Sequence, residues 1–292
     1  MAKRTFPWLT NFDIAHRGLY KVGTTLEENT IAAVSAAVDK GLAVEIDVRT
    51  TADDIVVVFH DDTLDRLTKK TGPVTQWGFQ QLKPYNVGQS GKPIPSLPDV
   101  MDVVAGKVPI FIEIKSPGPG KDIQKICAGV RHCFEGYAGP VAVMSFDPRI
   151  TAWFKDYMPK YARGVVIGRE VLLHWHTRVL IPFWLRKAKP DFIACDINLL
   201  PNSFCQGWRK KGKPLLTWTV KEKHMVEIAR QHADAIIFEQ PALEFDQPTE
   251  TPVETPTETK IDYKQTDAPI KQAEKEQKIE EPKGARGIGT QG

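Results

Sequence analysis

The feature that most restricts the fold of this chain is an alternation. Short apolar, largely β-branched runs recur between helical stretches from Phe12 to Phe238. The runs are Phe12–Ala15, Leu42–Val48, Ile55–Phe59, Ile110–Ile114, Val141–Ser145, Gly164–Ile167, Phe192–Cys195, Leu215–Val220 and Ala235–Phe238. Helical stretches at Thr30–Lys40, Lys121–Phe134, Asn202–Lys211 and Glu222–Gln231 fit between them, and Gly41 stops the first. Strand followed by helix, repeated in this way, predicts parallel strands covered by helices. Sustained over roughly 240 residues, the pattern predicts a (β/α)8 TIM barrel rather than an open sheet.

The runs number one more than a barrel of eight strands accepts. The second and third are separated only by the turn sequence TTADD, far too short for a parallel crossover. They predict an antiparallel hairpin. A two-residue turn at Asp53–Asp54 would set Asp47 opposite His60. Asp61 to Pro109, punctuated by Gly, Pro and Asn, then predicts an inserted excursion before the next barrel strand. From Asp246 onward the chain is rich in Pro, Thr, Glu and Lys and nearly free of bulky apolar residues. Such a segment cannot bury enough surface to offset its ordering entropy. The expected organisation is a barrel domain over residues 1–245 and a disordered tail over 246–292.

Ten acidic and seven basic residues set the tail at −3, which leaves +6 on the body out of a total of +3. A mildly basic body suits an anionic small molecule and is too weak a signal for nucleic acid. Cys127, Cys133, Cys195 and Cys205 have no zinc-site spacing and predict reduced thiols. The basic N-terminus lacks the apolar core of a signal peptide, and no run of 18 apolar residues occurs. The expected compartment is the cytoplasm.

Four polar clusters interrupt the apolar runs at strand ends or inside strands. His16-Arg17-Gly18 ends the first run and offers a proton carrier beside a phosphate-binding fork. Glu45 and Asp47, two residues apart in LAVEIDV, share one strand face. Two buried carboxylates pointing together repel, and a hard divalent ion resolves the repulsion; pairing with Arg or Lys neighbours is the plainer alternative. His60-Asp61 ends the hairpin's return arm. Glu113 and Lys115 again share a face in an apolar strand, the first suited to a metal and the second to a phosphate oxygen. Convergence of all four on the C-terminal mouth of a barrel points to catalysis.

The successive motifs IAHRGLY, EENT, EIDVRTTADDIVVVFHDDTLDRLT, TG, IPSL, FIEIK, SFD, WTV and ADAIIFEQP resemble those of the glycerophosphodiester phosphodiesterase family, in order, over residues 12–245. The resemblance implies metal-dependent hydrolysis of glycerophosphodiesters to sn-glycerol 3-phosphate and an alcohol. It implies that His16 and His60 are the general acid–base pair. It also implies that Glu45, Asp47 and Glu113 hold a divalent cation, Mg2+ or Ca2+. Arg17 and Lys115 would contact phosphate, Asn29 would support the site at the mouth, and Trp218 would wall the glycerol moiety. This sequence departs from the family pattern at Glu27 (usually Pro), Asp54 (Gly), Lys221 (Asn) and Phe238-Glu239 (Thr-Asp). None of these positions is a proposed metal ligand or histidine, so the departures bear on substrate preference.

The stretch Val171–Lys189 (VLLHWHTRVLIPFWLRKAK) mixes apolar, aromatic and basic residues, and Pro182 is expected to break it. The favoured reading is a barrel helix packed on the sheet. The alternative is an interfacial surface in weak contact with a membrane, which would favour lysophospholipid substrates and a lysophospholipase D. A barrel that binds phosphodiesters without cleaving them would have no use for both histidines.

Overall fold

The computed structural model describes residues 6–173, 175–240 and 242. The predicted tail lies outside the described residues. In chain order the elements are β1 (Ile14–Ala15), α1 (Ile31–Asp39), β2 (Ala43–Thr50), β3 (Val56–Val58), α2 (Phe79–Leu82), α3 (Leu97–Val104), β4 (Ile110–Ile114) and α4 (Gln124–Cys133). They continue as β5 (Val141–Ser145), α5 (Pro148–Tyr157), β6 (Ala162–Ile167), α6 (Arg169–Leu173), α7 (Trp175–Ala188) and β7 (Phe192–Asp196). α8 (Ser203–Arg209), β8 (Leu215–Val220), α9 (Lys223–His232) and β9 (Ala235–Phe238) complete the set. Every strand expected from the sequence is present within two residues of its predicted ends.

Eight strands run parallel in the order β1-β9-β8-β7-β6-β5-β4-β2, and β1 pairs with β2 to close the sheet on itself. The result is the (β/α)8 barrel, with helices on the outside. Local sequence sets the helix ends. The Thr30 hydroxyl accepts from the Ala33 amide at the start of α1, and Gly41, with φ of 69°, ends it. Ser96 and Asp99 form a reciprocal capping box on α3, whose second residue is Pro98.

Alternation along the strands divides the interior into two cores. Ile46, Val48, Ile112 and Ile114 face outward and pack with Val100 and Val104 of α3 and Val130 of α4. Ala43, Phe111, Phe192 and Leu216 face inward and fill the lower half of the barrel. The short 3-10 turn Pro7–Thr10 seals that end, with Trp8 edge-on to Phe111 at 5.8 Å and Phe111 edge-on to Phe192 at 6.1 Å. Gly164 is required here: a Cβ on it would lie 2.3 Å from the Phe192 ring.

β3 is the antiparallel return arm of the expected hairpin, but its register differs by one residue. Val48 pairs with Val58 and Thr50 with Val56, so Asp47 lies opposite Phe59, not His60. The turn between Thr51 and Ile55 holds three residues, Ala52 to Asp54, of which Asp54 alone is left-handed at φ 60°; a two-residue type I′ turn would need Asp53 left-handed as well. The excursion after β3 has a core of its own, in which Phe59, Leu64, Val74, Leu82 and Ile94 pack on Val57. It ends in α3, the barrel helix that leads to β4.

The helix after α6 also corrects an expectation. α7 runs unbroken from Trp175 to Ala188 with Pro182 inside it. Ile181 and Ala188 are buried, and this packing outweighs the single backbone hydrogen bond that Pro182 cannot donate. All four cysteines are free. Among the described residues, no helix is long and apolar enough to cross a membrane.

Candidate active site

β1 ends at Ala15, and the chain then makes a sharp turn over the mouth. Arg17 and Gly18 have φ of 56° and 80°. A Cβ on Gly18 would lie 2.7 Å from the Ala33 backbone, so only glycine lets the first turn of α1 come this close. The turn aims the Arg17 amide at Glu45 Oε2, 3.0 Å away. Asn29, also left-handed at φ 57°, returns from the other side and donates its backbone amide to the Arg17 carbonyl at 2.9 Å. Left-handed non-glycine residues cost on the order of 1–3 kcal/mol each and collect where function fixes the geometry.

β2 and β4 lie side by side with Asp47 in register with Glu113. Glu45, Asp47 and Glu113 are all buried, and one oxygen from each lies within 4.8 Å of the others. Asp47 is the most heavily supported. Asn29 Nδ2 donates to its Oδ2 at 2.9 Å, and the Asp47 amide donates back to Asn29 Oδ1 at 3.1 Å. Lys115 Nζ lies 2.7 Å from Asp47 Oδ1 and also meets Glu113 Oε1. Arg17 Nε lies 3.3 Å from Asp47 Oδ2. Burial acts to raise the Asp47 pKa, but Lys115 and Arg17 outweigh it and hold the group well below the usual carboxylate range. Glu45 is the opposite case. Burial, then Asp47 and Glu113, push it well above that range. Burial likewise raises Glu113. Glu45 Oε1 is buried without a hydrogen-bond partner.

An orphaned oxygen and two carboxylates strained toward protonation are the marks of a site that fits a hard cation. Oxygen donors of this kind suit Mg2+ or Ca2+. The cluster has features of both sequence readings, since Asp47 is held by cationic side chains while Glu45 Oε1 has no protein partner.

The two histidines flank this cluster and are held alike. His16 Nδ1 lies 2.8 Å from Glu239 Oε1, and its Nε2 faces Glu45 Oε2 at 3.9 Å. His60 Nδ1 lies 2.7 Å from Asp61 Oδ1. Burial lowers the pKa of both imidazoles, which favours the neutral, proton-accepting form. Behind each carboxylate stands a cation. Lys221 Nζ meets Glu239 Oε2 at 2.9 Å. Arg66 donates to both oxygens of Asp61, at 2.6 and 2.9 Å, and to both of Glu28. Glu28 also accepts from Arg17 Nη1 at 2.7 Å.

The structure therefore brings His16, Arg17, Asn29, Glu45, Asp47, His60, Glu113 and Lys115 into one cluster. The Asn29 amide is engaged with Asp47, so it supports the carboxylates from behind. Trp218, near the end of β8, donates Nε1–H to the Ala194 carbonyl at 3.1 Å and stands edge-on to the half-exposed Phe146 at 5.4 Å. Sequence reasoning passed over Arg66, Tyr20 and Phe146, and treated Glu239 and Lys221 only as departures. Strand position held a clue to Glu239, which follows the last barrel strand and so lies at the mouth. Nothing local marks Arg66, whose role depends on how the excursion folds.

Comparison with known proteins agrees with this geometry. Residues 16–243 match the Glycerophosphoryl diester phosphodiesterase family. A glycerophosphodiester phosphodiesterase of Caldanaerobacter subterraneus is 30% identical over 240 residues, covering 78% of this chain and 93% of that protein. Glycerophosphodiester phosphodiesterase 1 of Bos taurus is 35% identical over 242 residues, covering 71% of each. Among solved structures, an Oleispira antarctica phosphodiesterase in complex with the product sn-glycerol-3-phosphate superposes with a TM-score of 0.69 at 22% identity. It covers 81% of this chain and 96% of that one. At that identity the likeness speaks to the fold. Taken with the sequence matches, it leaves one assignment: the chain belongs to the glycerophosphodiester phosphodiesterase family of hydrolases.

Proposed function

We propose that the protein hydrolyses small glycerophosphodiesters to sn-glycerol 3-phosphate and an alcohol, using a divalent cation, Mg2+ or Ca2+, held by Glu45, Asp47 and Glu113. The observation that carries this reading is the arrangement of two carboxylate-anchored imidazoles around a buried three-carboxylate cluster with an orphaned oxygen. A cation bound there supplies Lewis-acid charge to the phosphoryl oxygens. Lys115 and Arg17 lie against the same carboxylates. On this reading they meet phosphate oxygens and offset the charge that develops as the ester bond breaks. One histidine takes a proton at Nε2 from the attacking hydroxyl, which belongs to water or to the substrate's own 2-position. The other, which enters the step as the imidazolium, delivers its Nε2 proton to the departing alkoxide. Trp218 and Phe146 offer an apolar wall for the glycerol carbons.

The test is release of glycerol 3-phosphate from glycerophosphocholine. Release is expected to stop with EDTA and to return with Mg2+ or Ca2+. Failure with every metal, on this substrate and on lysophosphatidylcholine, would overturn the reading.

One observation favours a second substrate class. On α7, Val179, Leu180 and Phe183 are 68%, 45% and 63% exposed. Exposed Arg186 and Lys187 follow them. An apolar strip with basic neighbours suits an anionic lipid surface, and a lysophospholipase D would draw its substrate from one. On this reading the protein co-sediments with anionic liposomes at low salt, and Phe183→Ser weakens the association. Protein that stays in the supernatant at low salt removes the lipid reading and leaves the hydrolase intact.

A further inference from the structure

Glu239 does something that the metal and the two proton carriers do not account for. It follows β9, on the far side of the barrel seam from the carboxylate cluster, yet its side chain reaches the imidazole of His16. Both of its oxygens are committed. Oε1 lies 2.8 Å from His16 Nδ1, and Oε2 lies 2.9 Å from Lys221 Nζ. Burial, and then the nearby Glu239 carboxylate, raise the pKa of the Tyr20 phenol. Burial acts to raise Glu239, but the His16 and Lys221 contacts outweigh it and bring the group to about 2. Glu239 is therefore an ionised carboxylate, which can only accept hydrogen bonds. His16 Nδ1 must then carry a hydrogen.

That has a geometric consequence. A neutral imidazole carries one hydrogen. With it fixed on Nδ1, the lone pair lies on Nε2, the nitrogen that faces the carboxylate cluster from 3.9 Å. The backbone assists, because the His16 amide donates to the Phe238 carbonyl at 2.9 Å and ties the residue to the end of β9. His16 is thus held at backbone and at ring by adjacent residues of the last strand. Lys221 follows β8 and fixes the carboxylate from the other side. Glu239 keeps a carboxylate where the family pattern has Asp, while Lys221 stands where that pattern has Asn, so the cation behind the carboxylate is this chain's own.

We propose that Glu239 is a positioning residue for His16. Held by Lys221, it fixes the imidazole in the Nδ1–H tautomer with Nε2 open toward the substrate. The assignment rests on the reading of His16 as a proton carrier. It adds that this carrier works only while its far nitrogen is occupied. Asp61 has the corresponding place behind His60, with Arg66 as its cation. The two imidazoles are set by separate clamps, so each can be disturbed without the other.

The experiment uses the full chain labelled with 15N-histidine and loaded with Mg2+, read by long-range 1H–15N correlation. His16 is assigned by comparison with His16→Gln. The wild-type protein is expected to show His16 as the Nδ1–H tautomer. Glu239→Gln presents an amide that can donate to Nδ1, so His16 should shift to the Nε2–H tautomer while the His60 signals stay in place. On glycerophosphocholine the same variant should lose at least about 10²-fold in kcat, with KM within about threefold. Glu239→Asp, which keeps the charge, should retain the Nδ1–H tautomer and recover most of the lost rate. An Nε2–H tautomer in the wild-type protein, or a His16 tautomer unchanged in Glu239→Gln, would overturn the proposal. So would loss that falls on KM alone. The tautomer is read without substrate, so an enzyme that proves inactive on glycerophosphocholine overturns the proposed reaction and leaves the clamp to be judged by its own signal.

Discussion

His60→Ala is expected to reduce kcat on glycerophosphocholine by about 10²–10⁴-fold while leaving the thermal midpoint close to that of the wild-type protein. The two halves of that statement come from different parts of the structure. His60 lies beyond the end of β3, on an arm outside the barrel ring, and its ring is one-third exposed. Truncating it removes little buried apolar surface. On the proposed role it also removes one of the two proton carriers. His16→Ala should cost a comparable rate and somewhat more stability, since His16 is buried and ties Glu239 to the end of β1. Steady-state kinetics with thermal melts would separate the two effects. Normal turnover in either variant would refute that histidine's role.

Asp47→Asn is expected to have an equally large effect by a different route. The substitution keeps the size of the side chain and leaves an oxygen available to Asn29. It removes the charge around which Lys115, Arg17 and the proposed cation are arranged. Loss of several kcal/mol of transition-state stabilisation is the usual scale for a displaced catalytic metal. At about 1.4 kcal/mol per tenfold, that is on the order of 10²–10³-fold in kcat. Calorimetric titration with Mg2+ or Ca2+ should show weakened binding in parallel. In the wild-type protein that binding should also weaken as the pH falls. Glu45 and Glu113 have pKa values raised above the ordinary carboxylate range. Protons therefore compete with the ion at a higher pH than they would at exposed carboxylates, and affinity rises with pH through that raised range. Wild-type affinity and rate in Asp47→Asn would remove the metal assignment.

How much of this was legible in the sequence depended on how local each signal was. Strands such as Ile110–Ile114 and Leu215–Val220 are legible to the residue because each apolar run is opened by a Pro and closed by a Lys. The hairpin was recognised from its short turn, but its register slipped by one. Asp54 is left-handed but Asp53 is not, whereas a two-residue type I′ turn needs both, and the turn takes in Ala52 instead. Pro182 was expected to break a helix that tertiary packing keeps whole. The carboxylates and Lys115 stood out because charge inside an apolar strand is costly and demands an explanation. Glu239 and Arg66 did not stand out. Their partners, His16 and Glu28, are 223 and 38 positions away in the chain, and only closure of the barrel and folding of the excursion bring them together.

The sealed floor formed by Trp8, Phe111 and Phe192 makes the barrel a vessel with one opening. Whatever reacts above Glu113 must enter and leave through the same doorway, so the cleaved alcohol cannot drain through the bottom. The deep end can measure only the part of a molecule that goes in first. Anything attached beyond the phosphate trails outward toward the rim. A reaction chamber of this shape is strict about the handle it grips and lenient about the load. Changes in preferred head group would then be written in residues that follow the strand ends, such as Phe146 and Lys221, with the floor and the carboxylates left as they are.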